Sequence, residues 1–334
     1  MGQGVCIIAE VGSVHDGSLG NAGRLIDAAA ACGADAVKFQ THIAAAETIK
    51  SAPMPNFFTG EPRFEYFERT GFGLEQWCEL KSRCDQRGVE FLSSPFSIQA
   101  VELLEAVGVA RYKVPSGEVT NQPLLEALAQ TGKPLILSSG MSTWEELDRA
   151  VETIRRHHDQ LVVLQCTSEY PCPHERVGLN VMLEMRARYG LEVGLSDHTL
   201  STYASLAAVT LGARVIERHF AFSRLMYGSD APHSLEPEEL ADLVRGVRAI
   251  ECMLAHPVQK ADASRFSEMK RVFEKSLVAL VDIPAGAVLT PSLLGVKKPG
   301  DGIPAARLGQ ALGRRATRAI AADSLLREED IAWD

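Results

Sequence analysis

Eight short runs rich in aliphatic and β-branched residues recur along the first 220 positions of the 334-residue chain. They read VCIIAE (5–10), AVKFQ (36–40), VEFLS (89–93), RYKVP (111–115), PLILSS (134–139), LVVLQC (161–166), LEVGLS (191–196) and RVIERHF (214–220). Between them lie longer stretches with a helical period. In NAGRLIDAAAACGA, Leu25, Ile26 and Ala29 share one face, and a glycine closes the run as a C-cap. Strands alternating with amphipathic helices predict successive βα units, and eight of them within about 250 residues predict a (β/α)8 TIM barrel. An open doubly wound sheet fits less well. It would want a glycine-rich phosphate loop after the first strand, and GSVHDG (12–17) has the wrong spacing.

Two stretches depart from this rhythm. Residues 42–75 are too long for a routine connection and contain Pro53, Pro55 and Pro62, which predicts a lid or binding loop. After Glu251 the helical period gives way to a polar, charge-mixed segment, then to short β-like pieces punctuated by Gly and Pro. These breaks predict a barrel domain over 1–255, a linker over 256–275 and a small second domain over 276–334. Sixty residues bury a modest core, so the small domain should lean on a partner surface.

Charge and composition narrow the partners. A net charge of −9 argues against a nucleic-acid ligand, while leaving room for a local cationic pocket that takes a small anion. No apolar run reaches the roughly 18 residues needed to cross a bilayer, and the N-terminus lacks the pattern of a signal peptide, so no membrane partner is expected. Seven cysteines without paired CxxC motifs suggest reduced thiols and a cytoplasmic setting.

In a parallel barrel the reactive side chains come from the C-terminal strand ends. Read in order, those ends supply Glu10; Lys38 and Gln40; Ser94; Lys113, Ser116 and Glu118; SSGMS (138–142), with Ser139; Thr167, Ser168 and Tyr170; Ser196, Asp197 and His198; and His219. His198 and His219 end the seventh and eighth strands and should be neighbours, a pair of neutral imidazoles suited to an open divalent-metal site. Lys38 and Lys113 either snorkel or pair with Glu10 and Glu118, or converge on a doubly charged anion. The SSGMS turn precedes a helix starting near Trp144, whose backbone N–H groups are candidates for a phosphate cradle.

IIAEVGSVHDGSLGNAGRLIDAAAACGADAVKFQT, KVPSGEVTNQPLLEALAQTGKPLILSSGMST, CTSEYP and GLSDHTLSTYASLAAVTLGARVIERHF together resemble the sialic acid synthase family, in family order. The tail KSLVALVDIPAGAVLT…VKKPGDGIP…LGRRATRAIAADSLL is similar to the antifreeze-like (SAF) β-clip domain that closes those enzymes. The resemblance implies condensation of phosphoenolpyruvate with an N-acylated mannosamine-type aldose, giving a nonulosonic acid and phosphate. It implies a divalent ion, Mn2+ ahead of Mg2+ or Co2+, on His198 and His219, and a domain-swapped homodimer. Lys38, Lys113, Ser116 and Ser196 would hold phosphoenolpyruvate; Glu10, Gln40, Glu118, Tyr170 and Asp230 would serve the sugar or its proton transfers.

Departures bear on the acceptor. Val14 stands where the family usually has a polar residue, Ser168 replaces an asparagine, and GSDAPHS (228–234) keeps Asp230 but loses a following basic residue. Lys298 aligns with an arginine that reaches the acceptor's N-acyl group, and an ammonium cannot reproduce that two-pronged donor. A 2,4-diacetamido-2,4,6-trideoxyhexose, as for legionaminic or pseudaminic acid, therefore competes as the acceptor. An aldolase for a phosphorylated sugar and a non-catalytic sugar-phosphate binding homologue also fit the fold.

Overall fold

A computed structural model describes residues 4–53 and 61–333. The chain divides into two compact units, Met1–His256 and Pro257–Asp334. In the first, strands β1 (Cys6–Gly12), β2 (Ala36–Thr41), β3 (Glu90–Pro95), β4 (Tyr112–Val114), β5 (Leu135–Ser138), β6 (Leu161–Cys166), β7 (Glu192–Ser196) and β8 (Val215–His219) all run parallel. Their order is β3-β2-β1-β8-β7-β6-β5-β4, and β3 packs beside β4 to complete the barrel. Helices α1 (Leu19–Ala31), α2 (Ala44–Glu47), α3 (Arg63–Thr70), α4 (Leu74–Arg87), α5 (Ile98–Val107), α6 (Gln122–Gln130), α7 (Trp144–Arg155), α8 (Leu179–Tyr189), α9 (Tyr203–Thr210) and α10 (Pro237–Ala255) connect and surround it.

The barrel strands are buried on both faces, which explains why they read as near-continuous apolar runs. One face of each strand points at the helices and contributes to the large outer core. The other points into the barrel, where Ile8, Ala36, Leu92, Ile136, Val162, Leu164 and Val215 form a separate inner cluster. Because side chains alternate with period two, residues two and four positions further along face the same interior and arrive at the mouth. That parity selects the site.

The predicted α1 forms, with Ser18 as its N-cap, and buries Leu25, Ile26 and Ala29 together. The 42–75 stretch contains α2, α3 and the start of α4; its positions 54–60, including Pro55, lie outside the described residues. His15, in the turn after β1, is buried and stacks on Phe72 at 4.6 Å, while its Nδ1 accepts the Gly17 N–H. Burial pushes its imidazole down to about 4. The folded state therefore keeps His15 neutral where the unfolded chain takes up a proton. Stability from this group is complete above about pH 6.5 and drains away as pH falls toward 4, by roughly 3 kcal/mol. Urea midpoints at pH 7.5 and 5 for wild type and His15→Phe test this: the wild type should lose more on acidification, and equal losses would remove His15 as a cause.

The second unit has its own core of Leu277, Ile283, Leu289, Leu294, Ile303, Ile320, Leu326 and Ile331. Helix α11 (Ser267–Phe273) lies within the stretch read as a linker. It is followed by β9 (Ser276–Ala279), β10 (Leu294–Lys297), α12 (Leu308–Ala311), β11 (Arg315–Ala316) and β12 (Ile331–Ala332), with β9–β10 and β11–β12 antiparallel. Among the described residues no helix is long and apolar enough to cross a membrane.

Candidate active site

Strand register assembles the mouth. Glu10 lies abreast of Lys38 on one side and His219 on the other, while Ser196 lies abreast of both Glu217 and Cys166. Partners in a parallel ladder point to the same face, so these side chains converge. They line a cavity of about 310 Å3, together with Gln40, Lys113, Ser116, Ser138, Ser168, Tyr170, His198 and Asp230.

Two buried lysines and two buried carboxylates form its floor. Lys38 Nζ lies 2.9 Å from Glu10 Oε2 and 3.8 Å from Glu217 Oε2; Lys113 Nζ lies 3.4 Å from Glu217 Oε1. Ser196 donates to Glu217 at 3.1 Å, and Lys38 to Ser94 at 3.2 Å. Burial pushes both ammonium groups down, but at Lys38 the carboxylates of Glu10 and Glu217 outweigh it and hold the proton above the ordinary range. At Lys113 burial wins and the group sits below its usual value. Burial would raise Glu217, yet Lys113 and Lys38 together hold it well below the carboxylate range. The floor therefore sets two ammonium groups against two carboxylates, and Lys113 is the member whose charge burial opposes most.

His198 and His219 do meet: their ring centroids are 5.4 Å apart, and the Tyr170 ring packs against His198 at 4.2 Å, tilted by 31°. His198 Nδ1 lies 2.8 Å from the Thr167 carbonyl, so Nδ1 carries the proton and Nε2 keeps a lone pair. Burial, then neighbouring His219, pushes His198 down to about 4. His219 Nδ1 is buried without a hydrogen-bond partner, with Asp230 Oδ2 3.8 Å away. Two imidazoles with an orphaned nitrogen and a fixed tautomer fit a divalent cation. Among the described residues there is no group of three or more His, Cys, Asp or Glu placed to hold one, so the remaining positions would fall to substrate and water.

Glycines make room at two points. Gly12 has φ +55°, and a Cβ there would meet Asp230 Oδ2 at 2.7 Å. A Cβ on Gly140 would strike Ser168 Oγ at 2.3 Å and Ser116 Oγ at 2.6 Å.

Some expected residues stand elsewhere. Ser139 has the parity of the outer face, and its hydroxyl turns to Gln165 at 3.4 Å; Ser138, in step with Ile136, lines the mouth instead. Glu118 sits on the turn after β4 outside the cavity lining, with its carboxylate bound to Asn121, the N-cap of α6. The start of α7 is a poor phosphate seat. Thr143 and Glu146 already form a reciprocal capping box, and Glu145 adds a second carboxylate to the first turn. Lys298 belongs to the second unit, where its ammonium lies 5.0 Å above the Phe273 ring.

Further lining residues were not foreseen. Glu217 is the largest omission; His42, Arg63, Tyr66, Phe67 and Phe96 form a rim that is largely aromatic. Four of these five come from the 42–75 stretch, in keeping with the binding loop expected there.

A closed parallel barrel whose mouth gathers buried lysines, carboxylates and paired histidines has the lining of a barrel enzyme's active site. Residues 25–259 match the NeuB family and residues 274–332 match the SAF domain. The chain is 37% identical over 330 residues to an N,N'-diacetyllegionaminic acid synthase of Campylobacter jejuni, covering 96% of this chain and 98% of that one. It is 35% identical over 336 residues to the human N-acetylneuraminate-9-phosphate synthase, covering 98% and 93%. Among solved structures, an N-acetylneuraminic acid synthetase from Leptospira borgpetersenii in complex with citrate superposes with a TM-score of 0.71 at 31% identity, covering 80% of this chain and 91% of that one. The chain belongs to the NeuB family, and it is an enzyme of the synthase class.

Proposed function

We propose that the enzyme condenses phosphoenolpyruvate with an N-acylated amino hexose in its open aldehyde form, releasing phosphate and a nine-carbon 2-keto sugar acid. The observation that carries this reading is the floor of the mouth, where buried Lys38 and Lys113 both approach the Glu217 carboxylate and so bring two ammonium groups to one point of the cavity. Ser116 and Ser196 add hydroxyl groups to the same cavity lining. Carbon–carbon bond formation joins phosphoenolpyruvate C3 to the aldehyde carbon, water adds at C2, and the C–O bond to phosphate breaks.

A divalent cation on His198 and His219, Mn2+ by preference, would supply Lewis-acid polarisation of the aldehyde oxygen. Glu10 is the carboxylate we assign to the acceptor's proton transfer. It lines the cavity, with Gln40 on one oxygen and Lys38 on the other, whereas Glu118 is engaged with Asn121. Tyr170 and Asp230 flank the imidazole pair and would orient the sugar. We also propose a homodimer in the cytoplasm, with the SAF domain of one subunit, including Lys298, serving the mouth of the other.

A second reading of the acceptor is a 2,4-diacetamido-2,4,6-trideoxyhexose. The aromatic rim of Tyr66, Phe67 and Phe96 suits a sugar with a methyl terminus and an extra acetamido group, and Lys298 stands in place of arginine. Phosphate release from phosphoenolpyruvate with Mn2+, followed by product mass, tests the proposal across N-acetylmannosamine, its 6-phosphate and 2,4-diacetamido-trideoxyhexoses. The expected result is release that requires one of these aldoses. No release with any of them would leave a binding homologue, and release only with a phosphorylated pentose would point to a different aldolase.

A further inference from the structure

His42 lies one residue beyond β2 and carries no role in the reaction proposed above, yet its ring is held on four sides. Its ring lies between Phe67, with centroids 3.6 Å apart, and Phe96, at 4.1 Å, nearly parallel to both. Nδ1 meets Glu47 Oε1 at 2.7 Å, and Nε2 meets Gln40 Oε1 at 3.1 Å. The other end of the Gln40 amide, Nε2, donates to Glu10 Oε1 at 2.8 Å. We infer that His42 is a positioning residue: anchored by Glu47, it holds the Gln40 amide so that the NH2 side faces Glu10.

An amide has a donor end and an acceptor end, and rotating it by half a turn exchanges them. With the acceptor end toward Glu10, two oxygens would face each other at hydrogen-bond distance, which an ionised carboxylate does not tolerate. That repulsion opposes the flip from the Glu10 side only, and a partner at the other end of the amide is needed to fix it from both sides. A ring nitrogen that carries a proton supplies that partner, because its N–H donates only to the oxygen end of the amide. Nε2 of His42 therefore bears a hydrogen, and Nδ1, opposite a carboxylate, bears one too. Glu47 Oε2 is buried without a hydrogen-bond partner of its own, so His42 is the group on which that carboxylate rests. Two flanking aromatic faces suit a ring that carries positive charge.

The consequence for Glu10 is a fixed geometry. One oxygen is pinned by Lys38 and the other by Gln40, and the second pin is only as firm as His42 makes it. Glu47 and His42 thus form the outer end of a chain, Glu47–His42–Gln40–Glu10–Lys38, whose inner end faces the substrate.

This inference rests on Glu10 serving the proposed condensation, so the test has one arm that needs turnover and one that does not. In the first, kcat and KM are measured for His42→Phe, Gln40→Leu and the double variant. Phenylalanine keeps the aromatic stack and removes both N–H groups. The expected result is a fall in kcat of about 30-fold for His42→Phe, with little change in KM for phosphoenolpyruvate, and less than about twofold further loss when the change is made in Gln40→Leu. A residue that merely lines the cavity would show the same loss in both backgrounds, and that outcome overturns the inference. In the second arm, 15N-labelled histidine in the wild-type enzyme is observed by NMR near neutral pH. His42 should show a proton on both nitrogens and lose one in Glu47→Gln. A His42 with a single protonated nitrogen in the wild type contradicts the inference even if no acceptor sugar turns over, whereas failed turnover with the doubly protonated ring removes the proposed reaction only.

Discussion

Asp197→Ala is expected to lower folding stability by about 3–5 kcal/mol, the range for leaving a buried ion without its partner. Arg218 and Asp197 are a fully buried pair, with side-chain exposures of 1% and 0% and Nη1 to Oδ2 at 2.7 Å. Arg218 also donates to the carbonyls of Thr199 at 2.5 Å and Ser201 at 2.6 Å. Asp197 accepts from the Thr199 N–H at 2.8 Å and the Ser205 hydroxyl at 2.6 Å. Removing the carboxylate strands a guanidinium that burial already pushes below its ordinary value. The site is affected as well, because the pair occupies the outward parity of the segments that carry His198 and His219 inward. Urea denaturation of Asp197→Ala, Arg218→Met and the Asp197→Leu/Arg218→Met double variant measures this. The double variant should lose less than Asp197→Ala, since no lone charge remains. A loss below about 1 kcal/mol in Asp197→Ala would show that the pair does not hold the β7 and β8 ends.

The alternation of apolar runs and helical patterns made the barrel legible, because a strand buried on both faces has few ways to be written. The histidine and lysine pairs were legible for a related reason: a parallel ladder brings strand ends together whatever their distance along the chain. Ser139 misses the mouth by one step of parity, since Ile136 faces the interior and its mate two residues on is Ser138. The same rule would have found Glu217. It lies two residues before His219 in RVIERHF and must share its face, but a carboxylate inside an apolar run reads as a flanking charge until its lysine partners are known. Glu118 falls outside the lining because the period of two stops at Pro115 and a tight turn follows. His42 continues the parity of Lys38 and Gln40 one residue beyond β2 and could have been found by the same rule. Arg63, Tyr66 and Phe67 carry no such signal, because their convergence depends on how α3 folds back over the strand ends, which local pattern does not encode.

Glu217→Gln should make activity fall at lower pH, as pH rises, than it does in the wild type. Lys113 must be protonated to hold an anion, burial works against that proton, and Glu217, 3.4 Å away, is the first of the charges that sustain it. A neutral amide removes the support, so the ammonium gives up its proton at lower pH than in the wild type. Once the pH exceeds the lowered value, the protonated fraction falls about tenfold for each further pH unit. Lys38 is protected by Glu10 at 2.9 Å and should change less. The expected result is a loss of about 100-fold in kcat/KM for phosphoenolpyruvate near pH 8, shrinking on titration toward pH 6. Lys113→Met separates charge from shape: it should be impaired at every pH, with no recovery in acid. If the Glu217→Gln profile runs parallel to the wild type instead, the carboxylate is not what keeps Lys113 charged. The two-lysine floor would then have to bind its anion by another balance of charge.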